Sequence, residues 1–161
     1  MEILTTSPRQ TKRIGEILAA EIWRSFPKKE AFIVGLKGGL GGGKTTFVQG
    51  FARGLGIREK ILSPTFVVMK KWIMPVSAKK NTTSIKPSTF YFFHIDCYRL
   101  QKPQEILALG FKKIISEKRN IVVVEWAEKI REVLPKRTLW INFNFIDKKA
   151  RRISLAFSKP R

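Results

Sequence analysis

The chain has 161 residues, enough for one domain with a substantial core, and 43% of them are hydrophobic, including 12 Phe and 4 Trp. That composition excludes a disordered or low-complexity chain. No apolar run reaches the roughly 18 residues of a membrane helix, Met1 to Arg13 holds no apolar leader segment, and the single Cys97 excludes an internal disulfide. The expectation is a single cytoplasmic domain over residues 1–161 that engages no membrane. Charge is lopsided: 32 Lys and Arg against 12 Asp and Glu leave +20. No acidic residue stands between Lys60 and Ile95, where Lys60, Lys70, Lys71, Lys79, Lys80 and Lys86 fall, and 148–161 is again purely basic. Such a field suits a nucleic acid or an acidic protein face, and a generally lysine-rich surface accounts for it equally well.

In chain order, Ser7-Pro8 is a helix start, an N-cap followed by Pro at the first helical position. Ile14, Ile17, Leu18 and Ile22 then line one apolar face up to about Pro27. Residues 31–36 (AFIVGL) form a buried strand, and 46–55 a helix stopped by Gly54 and Gly56. Between them, Gly38-Gly39-Leu40-Gly41-Gly42-Gly43-Lys44-Thr45-Thr46 fits G-x-x-x-x-G-K-[ST]. In that pattern, glycine backbone N–H groups turn inward around phosphates, the lysine reaches the β- and γ-phosphates, and the hydroxyl following it ligates Mg²⁺. The helix N-terminus adds its positive dipole end.

Ser63-Pro64-Thr65 reads as a turn, with a second reading as a switch-like segment that brings the Thr65 hydroxyl to a γ-phosphate. A strand over 67–73 follows, then a polar loop over Pro75–Thr89. Phe90 to Ile95 is a β-prone run ending in Asp96, and 103–110 a short helix with Pro near its start and Gly past its end. Residues 121–124 (IVVV) read as a central strand covered on both faces and ending in Glu125-Trp126. A helix over 127–134 and two alternating stretches, 138–145 and 151–157, joined by a turn at 147–150, complete the chain as a hairpin near one sheet edge.

Asp96 and Glu125 both end apolar strands, where open α/β sheets place their sites. Glu125 is assigned to the Mg²⁺ shell and Asp96 to a metal-bound or attacking water, the two roles being exchangeable at this level. His94 and Cys97 are read as structural, Trp126 as packing, and Arg99 as a partner for Asp96. The expected fold is α/β, a P-loop NTPase-like three-layer sandwich with a mixed, largely parallel sheet and a C-terminal hairpin.

The order L-x-G-x-L-G-x-G-K-T-T-F (Leu36 to Phe47), S-P-T-F (Ser63 to Phe66), H-x-D-x-Y-R-L (His94 to Leu100) and Glu125-Trp126 resembles the TsaE (YjeE) family, from about Thr11 to Leu155. The resemblance implies a small ATPase that binds ATP and Mg²⁺ and acts with the TsaB–TsaD complex in threonylcarbamoyl-adenosine modification of tRNA. By it, Lys44 grips phosphates within the Gly38–Thr46 loop and Thr45 ligates Mg²⁺. Glu125 matches the metal-binding acid, Asp96 an acid needed for hydrolysis, and Thr65 the switch-like threonine; Thr11 and Arg151 resemble nucleotide contacts. Gly39 stands where the family usually carries Asp or Glu, and Ala127 where it carries Pro. From the residues alone, a small-molecule phosphotransferase and a nucleotide-gated RNA- or protein-binding module stay open beside the ATPase.

Overall fold

The computed structural model describes residues 1–25, 29–75 and 89–157. Seven strands form one sheet in the order β1-β7-β6-β2-β5-β4-β3. Its centre is parallel: β2 (Phe32–Lys37) lies between β5 (Asn120–Glu125) and β6 (Leu139–Phe145), and β4 (Phe90–Asp96) pairs with β5 on the far side. Antiparallel strands finish both flanks, β3 (Met69–Met74) on β4, and β7 (Arg151–Phe157) on β6 with β1 (Glu2–Thr5) outermost.

Every residue of β5 is buried, as expected for a strand covered on both faces. Its alternate side chains feed two cores. Ile121 and Val123 face α1 (Pro8–Arg24) and α2 (Lys44–Gly54) in the larger one, with Phe47, Phe51 and Phe92. Val122 and Val124 face α3 (Gln104–Ala108), α4 (Phe111–Ser116) and the 3-10 helix Ala127–Val133. The result is three layers, helices on both faces of a mixed sheet.

Ser7 caps α1 as expected, its hydroxyl accepting from the Gln10 amide at 3.3 Å, with Pro8 in the first turn. That helix ends at Arg24; Pro27, most of the Pro75–Thr89 loop, and Lys79, Lys80, Lys86, Lys159 and Arg161 lie outside the described residues. The structure adds two elements that the apolar pattern does not announce, β1 and α4. The hairpin β6–β7 stands one strand in from the edge, because β1 pairs outside it. Residues 127–133 wind as a 3-10 helix with a kink at Ile130. β3 starts at Met69, two residues later than expected, because Val68 takes φ +65, a conformation a β-branched residue rarely adopts.

Candidate nucleotide site

β2 runs straight into the glycine-rich loop, and α2 leaves it at Lys44. Gly43 occupies the N-cap with φ +97, which a side chain would strain, and no side chain caps this helix end. The amides of the first turn of α2 therefore face the cleft with the positive end of the helix dipole.

The loop, the ends of β4 and β5, and the β6–β7 turn enclose a cleft of about 410 Å³. Leu40 to Thr46 line it, together with Thr11, Thr65, Asp96, Glu125 and Arg151. Gly38 and Gly39 do not line it; their carbonyls accept from Lys44 Nζ at 2.6 and 2.9 Å, tying the ammonium into the loop. Lys44 is 5% exposed, and its Nζ lies 3.9 Å from the centre of the Trp126 ring. Burial holds the Lys44 pKa below its ordinary value, a shift that Glu125, Glu128 and Asp96 oppose. Trp126 reaches this position from a left-handed backbone, φ +56. Its indole, expected as packing, is thus part of the cleft wall.

Two carboxylates meet the loop from neighbouring strands, since Asp96 and Glu125 are in register across β4 and β5. The Thr45 hydroxyl donates to Glu125, its Oγ1 lying 3.0 and 2.9 Å from the two carboxylate oxygens. Asp96 is clasped by the segment before β3. Ser63 and Thr65 donate to its Oδ2 at 2.5 and 2.6 Å, and the Tyr98 amide to Oδ1 at 2.9 Å. Residues 63–65 are therefore both a turn, closed by the Val67 and Val68 amides on the Pro64 carbonyl, and a clasp on the acid. The Val68 carbonyl accepts from the Asp96 amide at 2.9 Å, which fixes the strained residue against the same strand end.

Arg99 does not pair with Asp96; its guanidinium stacks 4.3 Å from the Phe66 ring centre, and hydroxyl and amide donors meet Asp96 instead. Thr11 is buried, with its hydroxyl 3.0 Å from that of Thr5. Arg151 donates from Nε to the Gly41 carbonyl at 2.9 Å, buttressing the loop from β7. Ser63, Tyr98, Lys148 and Lys149 line the cleft as well and were not singled out for the site from the sequence. The purely basic stretch from 148 was the available signal for the two lysines. His94, expected as structural, is wholly buried and bonds Glu125, Nε2 to Oε1, at 2.8 Å.

The donor set suits a hard cation held mainly by phosphates and water: Thr45 and Glu125 offer oxygen only. Among the described residues no group of three His, Cys, Asp or Glu forms an all-protein metal cage. No described helix is long and apolar enough to cross a membrane.

The sequence model of the family described as "Threonylcarbamoyl adenosine biosynthesis protein TsaE" matches residues 5–153. Two relatives carry the description "tRNA threonylcarbamoyladenosine biosynthesis protein TsaE". The one from Bacillus subtilis is 34% identical over 85% of this chain and 73% of its own length. The one from Treponema pallidum is 28% identical over 97% of this chain and 100% of its own. Among solved structures, the crystal structure of Bacillus subtilis YdiB matches with a TM-score of 0.67 and 26% identity, covering 99% of this chain and 86% of that one.

Proposed function

The chain belongs to the TsaE family of tRNA threonylcarbamoyladenosine biosynthesis, and on that premise we propose that it is a Mg²⁺-dependent ATPase acting, as one cytoplasmic domain, with the TsaB–TsaD complex. The observation that carries this reading is the meeting of Thr45 with Glu125, at 2.9 and 3.0 Å, beside a lysine held inside a glycine loop. A hydroxyl and a carboxylate from different elements converge where a P-loop site needs its Mg²⁺ ligands.

ATP fits the cleft by the chemistry of its walls. Loop and helix amides receive the phosphate oxygens, and the Lys44 ammonium exchanges the carbonyls of Gly38 and Gly39 for them. Thr45 and Glu125 hold Mg²⁺, whose contribution when bound is to neutralise charge building on the β- and γ-phosphates. Asp96 orients the attacking water, and Thr65, leaving its bond to Asp96, meets the γ-phosphate side of the cleft. Thr11 and Arg151 contact the nucleotide from outside the loop. Arg151 is committed to the Gly41 carbonyl and Arg99 to Phe66, so neither is aimed as a finger at the phosphates. Turnover by the chain alone is accordingly slow, well below the roughly 10 s⁻¹ of a median enzyme, and rises with the partner complex. The basic surface meets tRNA or an acidic face of that complex.

The test is ATP hydrolysis by purified wild type, Lys44→Ala and Glu125→Ala, with and without TsaB–TsaD. Slow, partner-stimulated turnover that both substitutions abolish is expected. Wild-type rates in either variant refute the site. An ATP-site variant that still supports tRNA modification in full favours a binding module over an ATPase.

A further inference from the structure

β4 is a run of aromatic residues, and its alternation sends Phe92, His94 and Asp96 to the α1–α2 side of the sheet. Phe92 packs there as pure core. His94, two residues on, is 0% exposed, and a phenylalanine at that position would bury no polar atom. The imidazole has two nitrogens to satisfy, and only one is used. Nε2 lies 2.8 Å from Glu125 Oε1, while Nδ1 is buried with no hydrogen-bond partner. Packing alone gives no reason to bury a ring nitrogen without a partner. The bond on the other nitrogen does.

Register explains how that bond arises. Asp96 stands opposite Glu125 and His94 opposite Val123, so the imidazole reaches Glu125 diagonally across the parallel pair, from one same-face position further back along β4, and it does not itself line the cleft. A carboxylate only accepts, so Nε2 carries the proton in this bond and donates it to Oε1. Glu125 is then held at two points. Oε1 receives both His94 and Thr45, whereas Oε2 is bonded to Thr45 alone. His94 thus engages one carboxylate oxygen and leaves Oε2 with the Thr45 hydroxyl as its hydrogen-bond partner.

We propose that His94 is a positioning residue for Mg²⁺ binding: its Nε2–H locks the Glu125 carboxylate so that Oε2 and Thr45 Oγ1 present a preformed pair of oxygen ligands. The inference rests on the assignment of Thr45 and Glu125 as Mg²⁺ ligands and deepens it. Bonds of this kind, one step behind the metal, typically alter metal affinity by about 10- to 100-fold when removed.

The experiment titrates Mg²⁺ against binding of a fluorescent ATP analogue to wild type, His94→Leu and His94→Gln, and repeats the binding in EDTA. The Gln side-chain amide places a donor close to where imidazole Nε2 sits; Leu supplies none. For His94→Leu the Mg²⁺ half-saturation point is expected to rise at least about 10-fold. Affinity in EDTA should stay within about twofold, because the loop amides are untouched. His94→Gln should recover most of the Mg²⁺ response. A His94→Leu protein that titrates like wild type overturns the assignment, as does an equal loss in EDTA, which is the mark of general damage. If His94→Leu does not fold, His94→Asn, whose amide is too short to reach Glu125, takes its place with the same expected and overturning results. A wild type that binds the analogue equally with and without Mg²⁺ overturns the metal site itself, and the role of His94 with it; a Mg²⁺-dependent wild type beside an unaffected His94→Leu overturns only the latter.

Discussion

Replacing Gly50 by Ala should destabilise the protein, although alanine is the better helix former. Gly50 lies in α2, where Ala gains about 1 kcal/mol of intrinsic preference over Gly. Against this stands the approach of α1. A Cβ on Gly50 falls 1.9 Å from the Lys12 carbonyl oxygen and 2.7 Å from the Lys12 Cα. Ordinary contact begins near 3.5 Å, so α1 must withdraw by about 1.5 Å. Gly15 and Gly54 are pressed in the same seam, against the Phe47 and Glu16 carbonyls, so the withdrawal cannot be local. Overpacking costs about 1–3 kcal/mol where side chains yield, and a backbone contact belongs at or beyond the top of that range. The net loss is about 2–3 kcal/mol, or about 4–12 °C in Tm for a chain of this size. Because α1 carries Thr11, whose methyl approaches Gly43, nucleotide affinity should fall as well. Thermal unfolding followed by circular dichroism reads the effect, with Gly39→Ala as the control, since a Cβ there meets nothing within 4 Å. A Gly50→Ala protein melting at or above wild type refutes the reasoning about the helix seam.

Asp96→Asn keeps the shape of the side chain but removes its charge and puts an NH2 group in place of one of two oxygens that both face donors, Ser63 and Thr65 on Oδ2 and the Tyr98 amide on Oδ1. ATP turnover should drop by about 100-fold or more while analogue affinity changes by less than about threefold, as expected for a group that acts on the water rather than on binding; unchanged turnover would remove Asp96 from the mechanism. Cys97 is fully buried, and burial, chiefly, pushes its thiol from 9.0 up to about 12. A thiol reagent at pH 8 should therefore label the native protein only at the rate of unfolding. The thiol group's contribution to stability is complete below pH 9 and lost as pH rises through about 12, so denaturant midpoints measured across that window should decline.

The central strands were legible because burial on both faces leaves an unbroken apolar run, as in 121–124, and because the loop spacing from Gly38 to Thr45 admits few structures. The two strand-end acids were legible for the same reason, each following such a run. What escaped was set by tertiary contact. β1 is four residues with one buried side chain, too short to declare a period, and exists because β7 offers it an edge. The left-handed backbones of Val68 and Trp126 run against local preference, and only the surrounding fold holds them. Arg99 lies three residues from Asp96, but sequence proximity does not set the direction of its side chain, and Phe66 captures it. His94 was hidden by its neighbours: in an aromatic strand a lone histidine looks like core, and its bond to Glu125 depends on the register of two strands.

Where a divalent metal sits decides whether Thr45 and Glu125 form its site. A crystal structure with a non-hydrolysable ATP analogue and Mn²⁺, the metal located by its anomalous scattering, measures this directly. The predicted result is a metal bound to Thr45 Oγ1, with Glu125 in its shell directly or through one water, and with Lys44 Nζ moved from the Gly38 and Gly39 carbonyls onto phosphate oxygens. A metal bound away from Thr45, or a Lys44 still tied to those carbonyls beneath a bound triphosphate, would contradict it.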